Sequence, residues 1–203
     1  MKRHIPKRDP VFSDLAFAGR YAKKHLKMAQ KFGEEYARKL TTRGFQKGRV
    51  LDSGCGFGET LIYLAKTFPE AEFAGVDLSE PLLELAISSA AKANVSGRVE
   101  FKKADVHNLP YPDDHFDVAL NINMLHLVTD PLKMLDELER VLRDDGHLFI
   151  ADIRRSWIGL VEPEFKSAFT VAEARAILDK SATRKGMLIA GFLWWRFETK
   201  NSG

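Results

Sequence analysis

From Val50 onward, short apolar runs alternate with segments whose apolar residues recur every three or four positions. Val50–Ser53, Glu72–Asp77, Val99–Ala104, Phe116–Ile122 and His147–Ile153 read as strands. Phe116–Ile122 is almost wholly apolar, the pattern of a parallel strand covered on both faces. Between them lie helices. Thr60–Phe68 is stopped by Pro69, and Ser79 opens a second with Pro81 in its first turn and Leu82, Leu83, Leu85, Ala86 and Ala90 on its buried face. Asp130-Pro131 opens a third, with Leu132, Leu135, Leu138, Val141 and Leu142 on one stripe, ending before Gly146. Thr170-Val171-Ala172-Glu173 has the form of a capping box, so Val171–Lys180 is predicted helical. Met187–Thr199 is one long strand or two short ones broken at Gly191. This alternation predicts an α/β fold with a mostly parallel sheet and crossover helices.

Upstream, Leu15, Ala18, Tyr21, Ala22, His25, Leu26, Ala29, Phe32, Tyr36 and Leu40 recur at helical spacing, so residues 13–40 are predicted to form a helix with a weak point at Gly33. No repeat or low-complexity linker interrupts the chain. The expected organisation is an N-terminal helical extension or lid over residues 1–45, followed by one domain over 46–203.

Charge changes this picture at one end. Residues 1–49 hold fourteen Lys or Arg against four Asp or Glu, whereas the remainder is net acidic. A solvated helix face accounts for this, as does attraction to an anionic acceptor, to RNA or to a membrane surface. No aromatic-interleaved RNA-binding pattern and no metal-ligand spacing accompany it, so no metal is expected. The apolar run Met187–Trp195 is too short to span a bilayer, and the basic N-terminus is not followed by a secretory apolar stretch. With a single cysteine, Cys55, the chain suits a reducing cytoplasm.

Chemistry concentrates where the first strand ends. Val50-Leu51-Asp52-Ser53-Gly54-Cys55-Gly56-Phe57-Gly58 runs from a strand into glycines at alternate positions, and a helix follows. Such a turn lets a ligand approach the main chain at a helix N-terminus. A dinucleotide-binding turn needs glycine where Glu59 stands, which disfavours a dehydrogenase.

Asp52-x-Gly54-x-Gly56-x-Gly58 instead resembles the first motif of class I S-adenosylmethionine-dependent methyltransferases. Leu109-Pro110-Tyr111-Pro112-Asp113-Asp114-His115-Phe116-Asp117 resembles that family's run before the fourth strand, and Leu125-His126-Leu127-Val128-Thr129-Asp130-Pro131 resembles its small-molecule members, with Leu127 in place of a second histidine. The resemblance covers residues 50 to about 152. It implies a doubly wound, Rossmann-like sheet of seven-stranded type and S-adenosyl-L-methionine as cofactor. It also implies roles. The loop amides of Gly54, Gly56 and Gly58 and the next helix N-terminus would receive the methionine carboxylate, with Asp52 at the amino group or holding the loop. Asp77 would take the ribose diol, Leu78 would wall the adenine, and Asp105 with the Val106 N–H would read its edge; Asn121 stands where the methyl points. Candidate bases are His126, Asp152 and Asn123, each open to a structural role. Phe12, Phe17 and Tyr21 suit a lid, and Arg154, Arg155 and Trp157 offer cations and an aromatic ring near the acceptor side. The implied activity is methylation of a small-molecule acceptor; an RNA-modifying enzyme and a non-catalytic cofactor-binding module are the alternatives.

Overall fold

A computed structural model describes residues 3–5, 12–156 and 164–199. Helix α1 (Leu15–Thr42) precedes strand β1 (Lys47–Ser53), and α2 (Glu59–Thr67), β2 (Glu70–Asp77), α3 (Glu80–Lys92), β3 (Val99–Lys103) and β4 (Phe116–Ile122) follow. The second half runs α4 (Pro131–Val141), β5 (Leu142–Ile153), α5 (Glu164–Ser167), α6 (Val171–Leu178), β6 (Gly186–Ala190) and β7 (Trp194–Thr199). The seven strands form one sheet in the order β3-β2-β1-β4-β5-β7-β6. Pairing is parallel from β3 through β5, and β7 runs antiparallel to both its neighbours. The order reverses between β1 and β4, so their carboxyl ends open the crevice where such sheets bind ligands.

The two-residue alternation of a strand sorts the core. Val50, Val118, Leu120 and Phe149 point to one face and meet Phe32, Tyr36 and Leu40 of α1 and Leu61 and Leu64 of α2. Leu51, Ala119, Leu148 and Ile150 point to the other, against Leu135 and Leu138 of α4 and Ala174 and Leu178 of α6. Both faces are covered, which is why these strands read as unbroken apolar runs.

The predicted starts at Ser79, Asp130 and Thr170 are true caps: their side-chain oxygens accept from the amides of Leu82, Lys133 and Glu173, and Thr170–Glu173 closes a reciprocal capping box. Helix α6 stops two residues short of the expected Lys180. Strand β5 begins five residues before the expected His147, because Leu142 pairs with Phe116 ahead of a bulge that resets the register at Val118–His147. Met187–Thr199 resolves into two strands, β6 and β7, joined by a tight turn in which the Gly191 amide donates to the Trp194 carbonyl at 2.7 Å. Trp195 on β7 is core, whereas Phe192 at the turn is 79% exposed. Among the described residues no helix is long and apolar enough to cross a membrane.

Helix α1 continues unbroken through Gly33, the expected weak point, and the reason is contact. A β-carbon there would lie 2.7 Å from Cβ and Cγ of Tyr63, so glycine lets α1 cross α2 at close range. Gly33→Val is expected to lower stability by about 1–3 kcal/mol, as overpacking does. The midpoint of urea unfolding by circular dichroism checks this.

Candidate active site

The cleft at the carboxyl ends of β1, β2 and β4 is floored by Asp52, Gly54, Cys55, Gly56 and Phe57, flanked by Asp77, Leu78 and Ser79, and walled by Ile122, Asn123, Met124 and Leu127. Phe12, Tyr21, His25, Met28 and Phe32 roof it. A separate cleft at the opposite, amino ends of the strands, lined by Arg49, Glu72, Arg98 and His115, lies away from the glycine loop.

The loop from β1 to α2 needs its glycines. Gly54, Gly56 and Gly58 have φ of 84°, 53° and 75°, the left-handed region. Their surroundings differ. A β-carbon at Gly54 would lie 2.7 Å from Cγ of Met124, and one at Gly58 would lie 2.6 Å from Phe101 and 2.7 Å from Ala86. At Gly56 it would meet nothing within 4 Å. Two glycines are therefore required by packing and the third faces the cleft.

The loop's amides are largely engaged within the protein. Those of Gly54 and Cys55 donate to the Val76 carbonyl at 2.8 and 2.9 Å, that of Gly58 to the Cys55 carbonyl at 3.0 Å, and that of Gly56 to Oδ2 of Asp77 at 2.9 Å. The first turn of α2 supplies the amides that helix geometry leaves without acceptors.

Asp77, rather than Asp52, holds the loop: its Oδ1 accepts from the Ser79 amide at 2.9 Å while Oδ2 takes the Gly56 amide. Burial raises its pKa, opposed by the backbone hydrogen bonds it receives. The acceptor capacity left beyond these amides and that of Leu78 is available to a ligand hydroxyl. Asp52 is 3% exposed, and its Oδ1 has no hydrogen-bond partner in the protein. Burial first, and the nearby Asp77 charge second, push its pKa up to about 7. Asn123 Oδ1, which lines the cleft with Asp52, is likewise buried without a partner, whereas the unpartnered Ser53 Oγ and Asn121 Oδ1 lie outside the cleft lining. Buried polar atoms are satisfied as a rule, and the Asp52 and Asn123 oxygens mark a place where a polar ligand completes the structure.

The remaining expected residues separate. Leu78 and Asn123 line the cleft, Asn123 at φ 56°. Asn121 is fully buried and donates from Nδ2 to the Ser53 carbonyl at 2.9 Å, tying β4 to β1 beneath the cleft. Asp105 is exposed just past β3, where Oδ1 accepts from the His107 amide at 2.9 Å and lies 2.7 Å from its Nδ1; Val106 is buried beside it. These contacts with His107 hold the Asp105 carboxyl below its ordinary pKa, outweighing the opposing effect of burial.

Of the three candidate bases, two are joined to each other. His126 Nδ1 lies 2.6 Å from Asp152 Oδ1, whose other oxygen takes the His126 amide at 2.8 Å, and both side chains are sealed from solvent outside the cleft lining. That pair braces the β4–α4 loop against β5. Arg154 and Arg155, expected to face an acceptor, are engaged elsewhere: Arg154 donates to the Gly191 carbonyl and Arg155 pairs with Glu173 at 2.6 Å. Trp157 lies outside the described residues. Cleft residues the sequence reading did not single out are His25, Met28, Phe32 and Cys55. The helical periodicity put His25 and Phe32 on one face of α1 without naming Met28, and nothing local said what that face would meet.

A family described as a methyltransferase domain matches residues 45–194, from the end of α1 to the start of β7. The chain belongs to this family. It is a class I S-adenosylmethionine-dependent methyltransferase domain, with the sheet order described above. Among its curated relatives, the 27-O-demethylrifamycin SV methyltransferase of Amycolatopsis mediterranei is 41% identical over 104 residues, 51% of this chain and 38% of that protein. The fatty-acid O-methyltransferase of Mycolicibacterium smegmatis is 38% identical over 106 residues, 52% of this chain and 37% of that protein. The chain thus spans well under half the length of these relatives. A solved structure of a protein from Methanococcus maripaludis shares its fold, with a TM-score of 0.78 over 94% of each chain at 20% identity.

Gly56→Ala, meeting no neighbour but strained at φ 53°, is expected to melt somewhat lower yet stay folded, while weakening S-adenosylhomocysteine binding by at least about tenfold because the methyl group occupies the ligand's approach. Gly58→Ala is expected to unfold at lower temperature, since its β-carbon collides with Phe101 and Ala86. Melting curves with and without S-adenosylhomocysteine separate the two effects.

Proposed function

We propose that this chain transfers a methyl group from S-adenosyl-L-methionine to a small, largely apolar acceptor carrying a protic nucleophile. The observation that carries the reading is Asp52: a buried carboxylate with an unpartnered oxygen beside a glycine loop, suited to a cationic amino group. The relatives named above act on small molecules, which argues against the RNA-modifying and non-catalytic alternatives.

When bound, the cofactor supplies an electrophilic methyl on a positively charged sulfur. The protein's own work is alignment and proton handling. Asp52 holds the amino group, and the first-turn amides of α2, with that helix's dipole, hold the adjoining carboxylate. Asp77 accepts from the ribose hydroxyls while keeping the loop shaped through Gly56. Leu78 would cover the adenine and Asn121 stiffens the strand end below, while Asp105 and Val106, past β3, lie outside the cleft lining and would meet only the ligand's far edge. Met28, Phe32, Ile122, Met124 and Leu127 give the acceptor an apolar wall. His25 is placed on that roof with its ring 4.4 Å from the Tyr21 ring, and an imidazole can accept the acceptor's proton near neutral pH. The unpaired Cys55 supports a reducing, cytoplasmic setting.

Titration of Asp52 gives the cofactor reading a signature. Near pH 6 its carboxyl is mostly protonated in the free protein, having a pKa of about 7, and an ammonium partner would draw it into the ionised form. S-adenosylhomocysteine binding at pH 6 is therefore expected to release a proton, seen as a buffer-dependent calorimetric enthalpy. Asp52→Asn removes the release and weakens binding by about tenfold or more. The sign for stability is opposite to that of a paired carboxylate. Because the folded pKa exceeds the unfolded one, free-protein stability falls between about pH 4 and pH 7, and Asp52→Asn is expected to melt higher than the parent at pH 8.

The role of His25 is read against a panel of phenols and fatty acids. His25→Gln is expected to lower kcat by about 10²-fold or more while leaving S-adenosylhomocysteine affinity within about twofold. Unchanged kcat removes His25 from the proton path.

A further inference from the structure

Helix α1 has two working faces. Its inner face, Tyr21, His25, Met28 and Phe32, roofs the cleft. Its outer face carries Arg20, Lys23, Lys24, Lys27 and Lys31, all exposed, in a stretch with no acidic residue between Asp14 and Glu34. None of these five cations pairs with a carboxylate among the described residues, whereas Lys39 and Arg43 near the end of the same helix both meet Glu198. A helix face stabilised by its own i, i+4 ion pairs would have interleaved acids; this one does not.

The apolar side chains around that face are also exposed. Leu15 is 55%, Phe17 43% and Leu26 38% accessible, and at 100° per residue they flank the cationic stripe on both sides. Cations on one face of a helix with exposed Leu and Phe beside them form the arrangement that lies in the plane of a lipid interface. Nucleic acid would use the cations but gives no partner to Leu15 and Leu26, which favours lipid as the occupant.

The position of this face relative to the cleft adds a purpose. Phe17 packs on Phe12, whose carbonyl accepts from Ser79 Oγ at 2.5 Å at the edge of the cofactor cleft. The same turns of α1 that present lysines outward therefore border the cleft mouth. We propose that the outer face of α1 docks on an anionic lipid bilayer, setting the cleft mouth at the membrane surface. The contact would draw apolar acceptors from the bilayer; that last step rests on the methyl-transfer reading, whereas the docking does not.

Sedimentation with vesicles tests it. The parent protein is expected to pellet with vesicles of phosphatidylcholine containing about 30% phosphatidylglycerol, and to release as salt rises from about 0.05 to 0.3 M. Pure phosphatidylcholine should capture little. Lys23→Glu, Lys24→Glu and Lys27→Glu together are expected to lower partitioning by at least about tenfold, and Leu15→Ser with Leu26→Ser to lower it in a salt-independent way. Both variants should keep the parent's melting temperature and S-adenosylhomocysteine affinity, since none of these residues lines the cleft. Equal capture by neutral vesicles, anionic capture that survives the charge reversal, or tighter binding to poly(U) RNA than to anionic vesicles overturns the proposal. Vesicle binding without S-adenosylhomocysteine binding would leave it standing and defeat the methyl-transfer reading instead.

Discussion

One constraint organises this molecule: the chain must turn from the central strand β1 into α2 with its backbone laid open at the switch point of the sheet. Three glycines at positive φ make that turn, and the Gly56–Asp77 hydrogen bond closes it from the neighbouring strand. Because β1 and β2 pair in register from Lys47–Glu70 to Ser53–Val76, the end of β2 arrives beside the loop and Asp77 stands within reach of it. Loop shape and sheet register are thus a single property. A slip of one residue would send Asp77 to the other face of the sheet.

Around that turn the polar groups divide by whether the protein satisfies them. Asp77, Asn121 Nδ2, His126 and Asp152 have partners and hold strand ends together. Asp52 and Asn123 keep oxygens without partners in the cleft lining. Leaving buried polar atoms unpaired costs roughly 1–3 kcal/mol each, a cost that a fold carries where binding returns it. Position in the fold matters more than residue type: His126 is sealed against a carboxylate, whereas His25 lines the cleft.

Helix α1 couples the core to the cleft. Its last turns bury Phe32, Tyr36 and Leu40 against the sheet, close enough at Gly33 to touch α2, and so orient the earlier turns that roof the site. The family resemblance begins at residue 45, after this helix. What distinguishes the chain from a bare cofactor-binding domain is therefore concentrated in a segment that supplies roof, imidazole and cationic outer face together.

The amino-acid sequence by itself determined what depends on neighbours along the chain: the helix caps, the alternation of strand and helix, the glycine turn, and carboxylates at strand ends. Each follows from backbone geometry over a few residues, and Asp52, Gly56 and Asp77 were legible on that basis, whereas Leu78 came from the family resemblance. Tertiary structure alone decided the pairings across the sheet and between layers. That Asp77 rather than Asp52 clamps the loop, that His126 spends its imidazole on Asp152, that Arg155 turns to Glu173 and that His25 reaches a cleft built from residues 27 or more positions later all depend on register and packing angle. Periodicity states which side chains share a face; only the folded arrangement states what that face meets.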